Sequence, residues 1–205
     1  MSLKSFKTPL RYPGGKSRAC KKMEQYIPDL RDYDVYYEPF LGGGSVALHI
    51  TKKYPKLKIV VNDLYEPLYN FWLQLQVNGD YVHSELQQLK SRFPDRGSAR
   101  GLFEDAKEKL YDLDITDKDR AVCFYIINKC SFSGLTESSS FSEQASDANF
   151  SLRGIDKLPV YSKLIKDWNC AEFDLTYTMR SVGEYMRNQK TRKELLLFNY
   201  NTGVF

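Results

Sequence analysis

No apolar run in the 205-residue chain approaches the ~18–20 residues of a membrane-spanning helix. The opening stretch Met1-Ser2-Leu3-Lys4-Ser5-Phe6-Lys7 has no apolar core of the length a secretory signal needs, so a cytoplasmic location is expected. Cysteine is sparse. Cys20, Cys123, Cys130 and Cys170 form no Cys-x-x-Cys pair, and neither His49 nor His83 stands near them at metal-ligand spacing. That argues against a zinc site and a disulfide scaffold; free, partly buried thiols and no metal are expected. An apolar fraction of 42% with 27% charged residues excludes a disordered or collagen-like chain. The length is that of one large domain, or of one domain with an insert.

Charge of one sign is also scarce overall, with a net of +4. Its distribution is uneven. Residues 1–22 carry Lys4, Lys7, Arg11, Lys16, Arg18, Lys21 and Lys22 with no acid among them. Residues 180–193 carry Arg180, Arg187, Lys190, Arg192 and Lys193 against Glu184 alone. Two basic ends on a near-neutral body fit a polyanion partner, and they fit a solvated surface as well.

No internal repeat or low-complexity run interrupts the chain. Pro9, Pro13, Gly14 and Gly15 mark 6–16 as a loop. Residues 17–28 form a candidate basic helix ending before Pro28. Val35 to Phe40 predicts a strand, Leu41 to Ser45 a turn, and Val46 to Tyr54 a helix stopped by Pro55. Leu57 to Val61 predicts a second strand, ending at Asn62-Asp63. Strand, glycine turn, helix, strand, acid is the order of a nucleotide-binding α/β unit. From Pro67 to about Asn128 the pattern is mainly helical, with Leu68, Phe71, Trp72 and Leu75 on one face. Ala121 to Ile127 is an apolar helix or a buried strand. The Ser-rich stretch 131–151 reads as a long loop, and 155–168 as helix. Glu172 to Tyr177 and Glu194 to Tyr200 read as strands of a hairpin with a long basic loop.

Two tracts carry chemistry. In Glu38-Pro39-Phe40-Leu41-Gly42-Gly43-Gly44-Ser45 a carboxylate closes a strand and glycines lead into a helix, which suits an adenosine-bearing ligand approaching the backbone closely. A purely structural glycine turn explains the same residues. The tract is not the Gly-x-Gly-x-x-Gly of dinucleotide enzymes. Asp63, at the end of the second strand, stands where an acid takes ribose hydroxyls; capping of the following helix is the other reading, and the two are compatible. Arg11-Tyr12-Pro13-Gly14-Gly15-Lys16-Ser17 is not a Walker loop, because Leu10 stands where that pattern needs its first glycine.

Taken together, these tracts resemble the Dam-like, D12-class DNA adenine-N6 methyltransferases. The blocks are Tyr12 to Lys16, Tyr37 to Ser45, and Asn62-Asp63. To them are added Asn128-Lys129-Cys130-Ser131-Phe132-Ser133-Gly134-Leu135, Phe150 to Gly154, and the C-terminal stretches Thr176 to Arg180 and Lys193 to Tyr200. The resemblance covers nearly the whole chain, in the family's order. It implies a Rossmann-like, S-adenosylmethionine-dependent α/β fold. The methyltransferase core would be 1–66 and 169–205, with a helical target-recognition insert at 67–168. It implies a restriction–modification type activity, transferring methyl from S-adenosylmethionine to adenine N6 in double-stranded DNA. Cofactor contacts would come from Tyr12, Gly14, Gly15, Lys16, Glu38, Phe40, Gly42, Gly44 and Asp63. DNA contacts would come from Lys129, Ser133, Arg153, Arg180, Arg187 and Lys190.

One family element is missing. The family's catalytic Asp-Pro-Pro-Tyr lies at the end of its fourth strand, and this sequence has no two adjacent prolines. Only Asn169, Cys170 and Ala171 separate Trp168 from Glu172, as if three strands and their helices had been cut out. The expected sheet is therefore incomplete, made of the first strand pair and the terminal hairpin, with an edge open to another chain. Three readings follow: an enzyme impaired by itself and completed by a second chain, a non-catalytic module for DNA or cofactor, or a truncated product.

Overall fold

The computed structural model describes residues 7–136 and 139–170. The expected C-terminal hairpin, with Arg180, Arg187 and Lys190, lies outside the described residues.

Residues 9–16 are a loop, as expected. Pro13 and the left-handed Gly14 (φ +75°) are the central residues of a turn that the Gly15 N–H closes onto the Tyr12 carbonyl at 3.0 Å. That is the residue pattern of a type II turn. The basic helix is shorter than expected. α1 (Cys20–Met23) runs into a 3-10 turn over Glu24–Tyr26. It stops because Ile27 is extended (φ −98°, ψ 127°), the conformation a residue before proline prefers.

The α/β unit forms as read. β1 (Val35–Glu38), α2 (Ser45–Lys53) and β2 (Lys58–Val61) make a parallel pair joined by a helix, with Val35 opposite Lys58 and Glu38 opposite Val61. Ile59, Val60 and Val61 are all buried, as befits a strand with a neighbour on each side. That second neighbour departs from expectation. β3 (Asn169–Cys170) pairs parallel to β2, giving the order β1-β2-β3. Pairing therefore begins at Asn169, before the Glu172 at which a hairpin strand was expected. Two residues are too few to show an alternating pattern in sequence.

The helical segment holds α3 (Glu66–Val77), α4 (Gly79–Arg92), α5 (Arg96–Lys109), α6 (Asp117–Cys130), α7 (Glu143–Asn149), α8 (Leu152–Ile155) and α9 (Leu158–Leu164). Pro67 sits in the first turn of α3, and Leu68, Phe71, Trp72 and Leu75 are fully buried, as their spacing predicts. Asp95 caps α5 by accepting from Ser98 N–H, and Thr116 caps α6 by accepting from Asp119 N–H. The ambiguous 121–127 stretch is helix. Every residue from Ala121 to Cys130 is buried, because α3, α4, α5 and α7 surround α6. The stretch 131–151 is not a single long loop. It contains a 3-10 turn (Phe132–Gly134), a bridge between Ser131 and Phe141, and α7, which Ser142 caps through Ala145 N–H. α7 buries only Ala145 and Ser146, so it has no apolar stripe to read.

The hydrophobic core runs unbroken across residues 66/67 and 168/169. Trp72 of α3 packs on Trp168 with ring centroids 5.6 Å apart, and Trp168 Nε1 donates to Thr51 Oγ1 of α2 at 2.8 Å. No helix among the described residues is long and apolar enough to cross a membrane.

Candidate cofactor pocket and nucleic-acid face

The carboxyl ends of β1 and β2 bring the sequence's chemical residues together, where open α/β sheets place their ligands. Glu38 ends β1. Its carboxyl accepts from Tyr36 Oη at 3.1 Å and from the Ala47 N–H in the first turn of α2. The chain's own carboxyl thus occupies the amide-rich helix start at which phosphate-binding units hold an anion. Burial, with a smaller contribution from the Asp63 charge, pushes the Glu38 carboxyl up to about 8.

Asp63 clamps the turn from the β2 side. Its Oδ2 accepts the Gly42 N–H at 2.7 Å and its Oδ1 the Tyr65 N–H at 3.0 Å. The helix-capping alternative for Asp63 does not hold: Tyr65 is the N-cap residue of α3 and no side chain caps it, and Asp63 instead closes the bend ahead of the helix. The glycines are needed for close approach. Gly42 (φ +50°) and Gly44 (φ +67°) are left-handed, and a Cβ on Gly44 would fall 2.6 Å from the Trp72 ring. Trp72 Nε1 also donates to the Gly42 carbonyl at 3.1 Å. Sequence reasoning placed Trp72 on a core face and missed that it shapes this turn.

The N-terminal loop covers the turn. Tyr12 lies on the glycines: a Cβ on Gly42 would meet its ring at 3.0 Å, and one on Gly43 would meet its Cβ at 2.9 Å. Thr8 Oγ1 donates to the Gly43 carbonyl, and the Ser17 and Ser45 hydroxyls are 2.8 Å apart. Burial and the neighbouring Asp63 raise the Tyr12 hydroxyl above its ordinary value. Tyr12, Glu38, Gly42, Gly44 and Asp63 are thus brought together. Gly14, Gly15 and half-buried Lys16 lie on the adjoining turn, and Phe40 is 62% exposed.

The expected DNA contacts divide. Lys129 is a correction. It is buried, its ammonium donates to the Pro9 carbonyl and lies 5.1 Å over the Tyr125 ring, and burial lowers it to about 8. It braces the N-terminal loop and does not face a phosphate. Ser133 and Arg153 are exposed. Ser133 belongs to a turn with three left-handed residues, Ser133 (φ 54°), Gly134 (φ 72°) and Thr136 (φ 55°), beside the 62%-exposed Phe132. Asn128, which heads the family block at 128–135, and Arg11 carry contacts described below that the sequence did not specify.

A parallel α/β unit whose carboxyl edge holds a glycine turn between two acids is of the α/β class, with its acids at the edge where such sheets place ligands. The family model that matches is the D12 class N6 adenine-specific DNA methyltransferase, over residues 12–189, and the chain belongs to that family. It is similar to the type II methyltransferase M.MjaIII of Methanocaldococcus jannaschii, with 27% identity over 148 residues. That match covers 66% of this chain and 48% of the relative, so the chain spans about half the length of the curated protein it matches.

Proposed function

We propose that the chain is the cofactor- and DNA-binding part of a site-specific DNA adenine-N6 methyltransferase with a Rossmann-like core. The donor is S-adenosylmethionine, and the target is adenine in duplex DNA. The observation that carries this reading is the glycine turn held between Glu38 and Asp63. A helix start already filled by a carboxyl disfavours a polyphosphate, and a ligand bearing a sulfonium and an ammonium would favour the ionised form of Glu38 that burial otherwise suppresses. Asp63, whose oxygens each keep a second lone pair, would take the ribose hydroxyls. Tyr12 and Lys16 would wall the pocket, and Gly42 and Gly44 would pass beneath the methionine part. When bound, S-adenosylmethionine supplies the electrophilic methyl group.

The chain's own part is to hold that group, exclude water with Tyr12, and present DNA through the exposed turn at Phe132–Ser133, Arg153 and the C-terminal basic residues Arg180, Arg187 and Lys190. Adenine must leave the stack to be modified. Its amine then needs hydrogen-bond acceptors, because its lone pair is delocalised into the ring. The family sets these acceptors in Asp-Pro-Pro-Tyr, which this sequence lacks. By analogy with an oxyanion hole, one lost group of this kind costs ~2.7–4 kcal/mol. Transfer is therefore proposed to need a second chain that supplies the block. In favour of that partner, β1 pairs only with β2 among the described residues, and its Tyr37 is 61% exposed.

The test pairs calorimetric binding of S-adenosylmethionine with labelled methyl transfer to unmethylated duplex. Cofactor binding, salt-sensitive DNA binding and no incorporation are expected of this chain alone. Incorporation at adenine N6 would overturn the requirement for a second chain, and a chain that binds no S-adenosylmethionine would overturn the pocket.

A further inference from the structure

The loop that lays Tyr12 on the glycine turn is gripped from its other side by the helical segment. Asn128, in the last turn of α6, is fully buried. Its Oδ1 accepts the Arg11 N–H at 2.9 Å, and its Nδ2 donates to the Arg11 carbonyl at 2.6 Å. One side-chain amide thus engages both polar backbone atoms of the residue before Tyr12. Neighbouring contacts reinforce the grip. Lys129 Nζ donates to the Pro9 carbonyl, and Arg11 Nη1 donates to the Ser131 carbonyl at 2.7 Å. A Cβ on Gly134 would fall 2.7 Å from Arg11 Cβ, so the turn after α6 presses directly on the same residue. On the pocket side, the Tyr12 carbonyl accepts from Gly15 N–H at 3.0 Å, which closes the turn leading to Lys16.

We propose that Asn128 is a positioning residue for the cofactor pocket: by fixing the backbone of Arg11 from α6, it sets Tyr12 against Gly42 and Gly43. This rests on the reading of that pocket as an S-adenosylmethionine site. The chemistry makes the role separable from bulk packing. Asp is nearly isosteric with Asn and keeps the acceptor for Arg11 N–H, but it puts an oxygen where Nδ2 donates. Two acceptors then face each other in a site closed to water, and one is left unsatisfied. The least costly relief is for the 9–12 loop to move, carrying Tyr12 off the glycines.

The test compares Asn128→Asp, Tyr12→Ala and the two combined, with two readouts. The first is the position of the Gly42 and Gly43 amide signals by NMR, which the Tyr12 ring current displaces. The second is S-adenosylmethionine affinity by calorimetry. Asn128→Asp is expected to shift both amides in the direction that Tyr12→Ala does, and to weaken affinity at least about fivefold. The combined variant is expected to bind no more weakly than Tyr12→Ala, because Asn128 acts through Tyr12. Ala106→Gly in α5, a buried change remote from the loop, is expected to leave both readouts in place. Gly42 and Gly43 amides that stay put in folded Asn128→Asp, or affinity losses that add, would overturn the proposal. If Asn128→Asp does not fold, Gly134→Ala displaces Arg11 by setting a methyl group 2.7 Å from its Cβ, and is read in the same way. A wild-type chain that binds no S-adenosylmethionine refutes the pocket's assignment, and the amide positions then decide by themselves whether Asn128 places Tyr12.

Discussion

Alanine at position 44 would put a methyl group into the Trp72 ring, 2.6 Å away, on a backbone at φ +67°. Strain and overpacking together should cost about 2–4 kcal/mol. Urea unfolding checks this, and a loss under about 1 kcal/mol would mean that Trp72 is free to retreat. A second residue-scale prediction concerns pH. Folded Glu38 keeps its proton to about pH 8, while the unfolded group releases it near 4.5. Between those values the native state holds the extra proton, so stability falls as pH rises, by at most about 1.4 kcal/mol per pH unit. Lys129 acts oppositely. Its folded value of about 8 lies below the unfolded 10.5, so the unfolded state holds the extra proton above pH 8 and Lys129's own contribution rises with pH there. Burial pushes the thiols of Cys123 and Cys170 up to about 11 and that of Cys130 up to about 12, from an ordinary 9.0. Above pH 9 these thiols keep protons that the unfolded chain releases, so they outweigh Lys129 and stability falls again. Denaturant titrations are expected to show stability declining up to about pH 8 and declining again above about pH 9. Glu38→Gln should flatten the first limb, and Lys129→Met should steepen the second. Glu38, the glycines and Asp63 were legible because strand, turn and helix space them locally. The part of Trp72 was not, and Asn128 was visible only as the head of a motif block, since their partners stand 30 and 117 residues away. Lys129 was misread because charge is visible in sequence and the burial of its stem is not.

Helix α6 is the element around which the others pack. Phe124 is fully buried, with its ring 5.8 Å from Phe71 and 6.0 Å from Tyr65. Phe124→Ala should cost about 3–5 kcal/mol, against about 1 kcal/mol for Thr116→Ala at the cap of the same helix. Comparable losses in equilibrium unfolding would mean that α6 is not the centre of the core. The encirclement of α6 also explains its ambiguity in sequence. An amphipathic helix announces itself by alternating faces, and a helix buried on every side has none to alternate. α3 keeps a polar side and was readable from Leu68, Phe71, Trp72 and Leu75. The opposite extreme hid α7, whose mostly polar face left no stripe, and shortness hid β3.

At the scale of the whole molecule, packing among the described residues is continuous between 7–66 and the 67–168 segment. Trp72, Trp168 and Thr51 tie the two together. Deleting residues 67–168 should therefore abolish cooperative unfolding of the remainder, and limited proteolysis should release no stable 67–168 fragment. A folded remainder with a sharp thermal transition would show two independent units. On the proposed reading of 67–168 as the DNA-recognition part, the same joinery constrains how relatives of this chain could trade sequence preference. A transplanted helical segment must arrive with an indole that fits the recipient's glycine turn and an amide that fits its loop, or the graft unseats the pocket it is meant to serve. Inherited novelty is easier to reach by single changes on the exposed turn at Phe132 and Ser133, where a new side chain disturbs neither joint.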